Sequence, residues 1–125
     1  MKKKLILLVE DNELNRTLIR DLCTYYGYRV IEATNGADGV RMAAEINPDL
    51  ILMDIQMPLM SGYSAIQKLK ENPKTKHLIV IAVTSFAMVS DKTKILAAGV
   101  DDFITKPIDT RLLPKMIERY IGPGG

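Results

Sequence analysis

The sequence has little that would tie it to an oxidising compartment, a membrane or a polyanion. Of its 125 residues only one, Cys23, is cysteine, so an internal disulfide and a zinc site built on thiolates are excluded. Cys23 lies among Leu18, Ile19 and Leu22 in a helical pattern, where a small buried thiol is expected. No apolar stretch approaches the ~20 residues a membrane-spanning helix needs, and the N-terminal lysines run directly into an apolar segment without a signal-peptide cleavage pattern. The expected location is cytoplasmic. Lysine and arginine number 17 against 15 acidic residues, a net charge of +2, so no strong field points at nucleic acid or at a membrane surface. The lysines at 2–4 read as the solvated start of a strand. Low-complexity runs, interdomain linkers and internal repeats beyond a βα period are also missing. Residues 1–121 are therefore read as a single domain, and Gly122-Pro123-Gly124-Gly125 as a flexible tail, a linker stub or a cloning scar.

What is present is alternation. Apolar runs at 5–9, 28–33, 50–53, 78–83 and, more weakly, 102–105 are separated by helical patterns, which implies a five-stranded parallel sheet with helices on both faces. The first, third and fourth runs are apolar without interruption, as strands buried on both sides should be. The second alternates Arg29 and Glu32 with Val30 and Ile31, and the fifth is short and acidic, so both suit the edges. Right-handed crossovers are compatible with the order 2-1-3-4-5, a doubly wound α/β fold of the flavodoxin-like kind. Leu14, Leu18 and Leu22 mark the first helix, with Asn12 as its cap; Val40 and Ala44 mark the second, ending before Asn47-Pro48. Ile66 and Leu69 mark the third, stopping near Asn72-Pro73, and Ile95 with a stop at Gly99 marks the fourth. Leu112, Leu113, Met116, Ile117 and Tyr120 give the fifth, which must start late or bend at Pro114.

In an open parallel sheet, ligands bind beyond the carboxyl ends of the strands. There the first strand leads into Glu10-Asp11, the third into Asp54, the fourth into Thr84 and the fifth into Lys106-Pro107. At ~4 Å and an effective dielectric near 20, each pair of carboxylates repels by about 4 kcal/mol, so a cation is required among them. Mg²⁺ fits an all-oxygen set, and the lack of histidine or thiolate there argues against zinc or copper. With the carboxylate charge cancelled, Asp54 can act as a nucleophile toward phosphorus and form an aspartyl-phosphate. Lys106 can pair with one oxygen of the transferred group and the Thr84 hydroxyl can donate to another, while the Gln56 backbone carbonyl can serve as a neutral metal ligand.

At these residues the sequence resembles the receiver domain of two-component response regulators over residues 3–121. Glu10-Asp11, Asp54 followed by Met57-Pro58-Leu59-Met60-Ser61-Gly62, Thr84 and Lys106-Pro107 stand in the family's order and spacing. The resemblance implies Mg²⁺ held by Glu10, Asp11, Asp54 and the Gln56 carbonyl, and a phosphoryl group received from a phosphohistidine of a histidine kinase or histidine phosphotransfer protein. It also implies a cis Lys106-Pro107 peptide and a switch in which Phe103 turns inward as Thr84 moves toward the phosphoryl group. A downstream protein would then read the face made by the fourth helix, fifth strand and fifth helix. The segment Thr84-Ser85-Phe86-Ala87-Met88 resembles the stand-alone DivK type that controls cell-cycle kinases. Ser85 stands where many members carry alanine, which bears on phosphoryl lifetime, and Ser61 replaces the more usual aspartate, which bears on the start of the third helix. His77 lies away from the active edge and is not expected to carry phosphate.

Three rival readings meet obstacles in the same residues. An aspartate-nucleophile phosphohydrolase resembling haloacid dehalogenases would place an acid two residues after the nucleophile, where Gln56 stands, and would need a cap insertion that is missing. A degenerate receiver used only for docking would normally lose the acidic pair, the aspartate or the lysine. A flavodoxin-like binder would want a Gly- or Ser-rich phosphate loop after the first strand, where Glu10-Asp11-Asn12-Glu13 would repel phosphate.

Overall fold

Each apolar run becomes a strand and each helical pattern a helix. The strands are β1 (Leu5–Val9), β2 (Arg29–Ala33), β3 (Leu50–Asp54), β4 (Ile79–Thr84) and β5 (Asp102–Thr105). They alternate with α1 (Glu13–Tyr25), α2 (Gly36–Ile46), α3 (Gly62–Glu71), α4 (Val89–Ala97) and α5 (Leu112–Ile121). The computed structural model describes residues 3–57, 60–85 and 89–124. All pairings are parallel and the order is β2-β1-β3-β4-β5, so the uninterrupted apolar strands occupy the centre and the two polar ones the edges. Among the described residues no helix is long and apolar enough to cross a membrane.

Because successive side chains of a strand point to opposite faces, the sheet feeds two cores. Leu7, Val9, Ile51, Met53, Val80 and Ala82 pack under α2, α3 and α4, while Ile6, Leu8, Leu50, Leu52, Ile81 and Val83 pack under α1 and α5. The helix ends follow local chemistry. Asn12 caps α1 by accepting from the Asn15 N–H, and Asn47 ends α2 in the left-handed region at φ 47°. Gly99, at φ 102°, follows α4. Pro114 is the third residue of α5, in the first turn, where its missing N–H would have had no partner within the helix.

One feature differs from the expectation. The leucine stripe of α1 is not its buried face: Leu14 is 82% and Leu18 44% exposed, and Ile19 and Cys23 meet the sheet instead. The leucines share one helical stripe, but α1 has only one face of the sheet beneath it and the Ile19-Cys23 stripe occupies that contact. Gly122 and Gly124, after α5, meet the turn that precedes β2. The Tyr28 hydroxyl donates to the Gly122 carbonyl at 2.6 Å, and Gly124 lies so close to the turn at 26–28 that a Cβ would come within 2.6 Å of the Gly27 carbonyl carbon.

Candidate functional site

The parallel register delivers three strand ends to one place. Glu10 continues β1 by donating its N–H to the Ala33 carbonyl, and Asp54 closes β3, followed by an Ile55 N–H donated to the Val83 carbonyl. Both acidic side chains are buried, each residue only 1% exposed, whereas Asp11 is exposed. Carboxylate oxygens of Glu10, Asp11 and Asp54 all lie within 4.8 Å of one another. The Asp54 side chain is oriented at both oxygens: Oδ1 accepts the Gln56 N–H at 2.9 Å, and Oδ2 accepts from Lys106 Nζ at 3.2 Å. Lys106 reaches across from β5. Its backbone N–H donates to the Thr84 carbonyl at 2.8 Å, its peptide bond to Pro107 is cis, and its ammonium also lies 3.4 Å from Glu10 Oε1.

One ammonium cannot balance three carboxylates. The Glu10 carboxyl is pushed up from 4.5 to about 8, first by burial, then by its hydrogen bond to Asp54 and the charge of Asp54. The Asn12 N–H, donated to Oε2 at 3.2 Å, and the Lys106 charge pull the other way but do not prevail. Burial lowers Lys106, but the charges and hydrogen bonds of Asp54 and Glu10 outweigh it, so its net shift is upward. Glu10 Oε1 is buried and is faced by the Lys106 ammonium at 3.4 Å. An all-oxygen donor set with more negative charge than that one ammonium offsets makes a group able to hold a hard divalent cation.

The loop after Asp54 is set by close packing. Gly62 donates its N–H to the Ile55 carbonyl, and a Cβ there would come within 2.5 Å of the Asp54 carbonyl oxygen and the Ile55 Cα. Ser61 caps α3 by accepting the Ser64 N–H at 3.3 Å, so a hydroxyl serves the start of that helix. Pro58 and Leu59 of this motif lie outside the described residues, as do Phe86, Ala87 and Met88 of the segment after β4. Thr84 ends β4 fully buried. The β4–β5 register pairs Ala82 with Phe103 and Thr84 with Thr105, so Thr84 and Phe103 share a face of the sheet one step apart. Phe103 is half-buried, with Lys92 Nζ 6.0 Å from its ring centre. His77 is exposed, in the connection that enters β4, and belongs to no part of this site.

Two contacts escape a reading of strand ends. The Gln56 side chain accepts the Ser85 N–H at 2.8 Å, joining the loop after β3 to the loop after β4. Arg16 Nη1 donates to the carbonyls of Glu10 and Asp11 at 3.1 and 3.3 Å. A clue to the second was available: a cation near the start of a helix opposes the helix dipole, so Arg16 needs another reason for its place.

The sheet and its carboxyl edge thus define a class, a doubly wound α/β domain with a buried aspartate inside an acidic, lysine-bridged pocket. The match is specific: the response regulator receiver domain family covers residues 6–118, and the chain belongs to it. It is a receiver domain of two-component signalling. The polar-differentiation response regulator DivK of Brucella anthropi is 44% identical over 119 residues, covering 95% of this chain and 97% of that protein. The receiver domain of the sensor histidine kinase PA1611 from Pseudomonas aeruginosa, solved with a magnesium ion coordinated in its active-site cleft, superposes with a TM-score of 0.89 at 36% identity, covering 96% of this chain and 98% of that one. The receiver domain of Ssk1 from Saccharomyces cerevisiae, crystallised with the histidine phosphotransfer protein Ypd1, gives 0.88 at 28% identity, covering 96% and 90%.

Proposed function

We propose that Asp54 is the phosphoacceptor of this receiver, taking its phosphoryl group from a phosphohistidine of a histidine kinase or phosphotransfer protein. The observation that carries this reading is the Asp54 carboxylate itself, buried at the end of a central strand, held by the Gln56 N–H on one oxygen and by Lys106 on the other. In the transfer an Asp54 oxygen forms a bond to phosphorus as the phosphorus–nitrogen bond of phosphohistidine breaks, and the imidazole leaves with the electron pair. Lys106 then follows the charge from the carboxylate to the phosphoryl oxygens, and the Thr84 hydroxyl donates to another of them. Glu10, Asp11, Asp54 and the Gln56 carbonyl would hold Mg²⁺, which neutralises carboxylate and phosphoryl charge when bound.

The output follows from the same residues. Drawing Thr84 toward Asp54 vacates space on the face it shares with Phe103, and the inward turn of Phe103 reshapes the surface of α4, β5 and α5 read by a downstream protein. The phosphodonor side is supported by the exposed Leu14 and Leu18 on α1, the helix that starts next to the acidic pair, and by the Ypd1 complex of the Ssk1 receiver. A phosphohydrolase reading lacks its acid: the Gln56 side chain stands in that place and is engaged with Ser85. A phosphorylated histidine phosphotransfer protein mixed with this chain and Mg²⁺ should lose its label to it within the mixing experiment, as a base-labile acyl phosphate. Label that stays on histidine with Mg²⁺ present, across a panel of such donors and with acetyl phosphate equally inert, contradicts the proposal.

A further inference from the structure

We propose that Arg16 is a positioning residue for the metal-binding carboxylates, acting through the backbone it grips and not through its charge; this rests on the reading of Glu10 and Asp11 as Mg²⁺ ligands. Glu10 and Asp11 fall between the end of β1 at Val9 and the start of α1 at Glu13; the last ladder bond here is the Glu10 N–H donated to Ala33, which leaves the carbonyls of both residues outside ladder and helix. Their carbonyls still need donors. Arg16 Nη1 supplies both, at 3.1 Å to Glu10 and 3.3 Å to Asp11.

The guanidinium is itself held. Its Nε lies 3.7 Å from Glu32 Oε1, and the side chain is only 19% exposed. Glu32 sits on edge strand β2 opposite Leu8, and its Oε1, buried and without a hydrogen bond, is also faced by Arg20 Nη1 at 3.5 Å. One planar fork thus joins β2 and α1 to the two consecutive residues whose carboxylates enter the site. Only arginine offers donors on separate nitrogens in a fixed plane; lysine offers a point charge. Groups that orient metal ligands in this way typically control affinity by about 10–100-fold.

The alternative is that Arg16 merely offsets the acidic charge, and the two ideas predict opposite signs. A cation beside a divalent metal site repels the metal, so on charge alone Arg16→Met should bind Mg²⁺ more tightly and Arg16→Lys should match the parent chain. If Arg16 positions the loop, Arg16→Lys weakens Mg²⁺ binding about tenfold although the charge is kept, and Arg16→Met does not tighten it. Glu32→Gln, which leaves Arg16 in place but loosens its anchor, weakens binding in the same direction. The measurement is a Mg²⁺ titration of the full chain at fixed pH, read from backbone amide NMR signals of Asp11 and Asn12, with the metal-free spectrum and melting temperature verifying that each variant folds. Should Arg16→Lys fail to fold, Arg16→Met decides alone, because loss of the Glu32 charge by itself would weaken binding in Glu32→Gln. An unchanged dissociation constant in Arg16→Lys, or a tighter one in Arg16→Met, overturns the proposal. Failure of the parent chain to bind millimolar Mg²⁺ overturns the metal reading itself and this inference with it.

Discussion

Mg²⁺ binding should displace a proton from Glu10. The carboxyl is pushed up to about 8 by burial, by its hydrogen bond to Asp54 and by the charge of Asp54. At pH 7 such a group is roughly nine-tenths protonated, and a carboxylate ligates a metal only after losing that proton. The logarithm of apparent Mg²⁺ affinity should therefore rise with a slope of about one per pH unit between about pH 6 and 7.5 and flatten above about pH 8, making binding about tenfold weaker at pH 6 than at pH 7. Stability of the metal-free chain carries the opposite sign. Because the folded pKa exceeds the unfolded value of 4.5, the folded chain holds the extra proton between 4.5 and about 8, so stability is greatest below that window and is lost as pH rises through it. At about 1.4 kcal/mol per pH unit the upper bound is about 5 kcal/mol; solvent at the pocket mouth, where Asp11 is exposed, screens the charges and reduces the expected loss to on the order of 2 kcal/mol. Calorimetric Mg²⁺ titrations in two buffers of different ionisation enthalpy read the proton directly. A wild-type affinity that does not change between pH 6 and 7.5, or a Glu10→Gln variant with the same slope, rules out Glu10 as the group that releases the proton.

Three further predictions concern the surrounding residues. Gly62→Ala forces a methyl against the Asp54 carbonyl and Ile55 Cα, and should cost about 1–3 kcal/mol in thermal or urea unfolding. Asp11→Asn removes one of three crowded carboxylates, so the metal-free melting temperature should not fall while most of the rise produced by millimolar Mg²⁺ disappears. Beryllofluoride with Mg²⁺, a stand-in for the phosphoryl group on Asp54, should move amide NMR signals of Ala98, Phe103 and Leu112, and Thr84→Ala should lose most of these remote shifts. Equal remote shifts in that variant would mean the coupling bypasses Thr84.

The sheet was legible because its strands obey separable rules. Leu50 to Met53 suited a doubly buried strand and the alternation of Arg29 and Glu32 suited an edge, and the order β2-β1-β3-β4-β5 is compatible with that ranking, which by itself leaves the arrangement within centre and edges open. The acidic pair, Asp54, Thr84 and Lys106 were legible because parallel strands bring their carboxyl ends to one edge, a fact of topology that needs no side-chain detail. What escaped depends on how pieces turn toward one another. Leu14 and Leu18 share a stripe as regular as that of Ile19 and Cys23, and only the contact with the sheet decides which is buried. Gly39 looks like an ordinary helix glycine, yet its Cβ would come within 2.7 Å of Val9, so it sets how closely α2 approaches β1. Tyr28 gives no local sign that its hydroxyl reaches Gly122, 94 residues away. Arg16 and Gln56 bond to loop backbone, which residue type alone does not report.

Intact-mass and peptide-mapping mass spectrometry after incubation with acetyl phosphate and Mg²⁺ decides whether Asp54 receives the phosphoryl group. One phosphoryl group should be added, mapped to the peptide containing Asp54, dependent on Mg²⁺ and absent from Asp54→Asn. Phosphoryl incorporation that persists at the same rate in Asp54→Asn, or that maps to another residue of the wild-type chain, would contradict that role of Asp54.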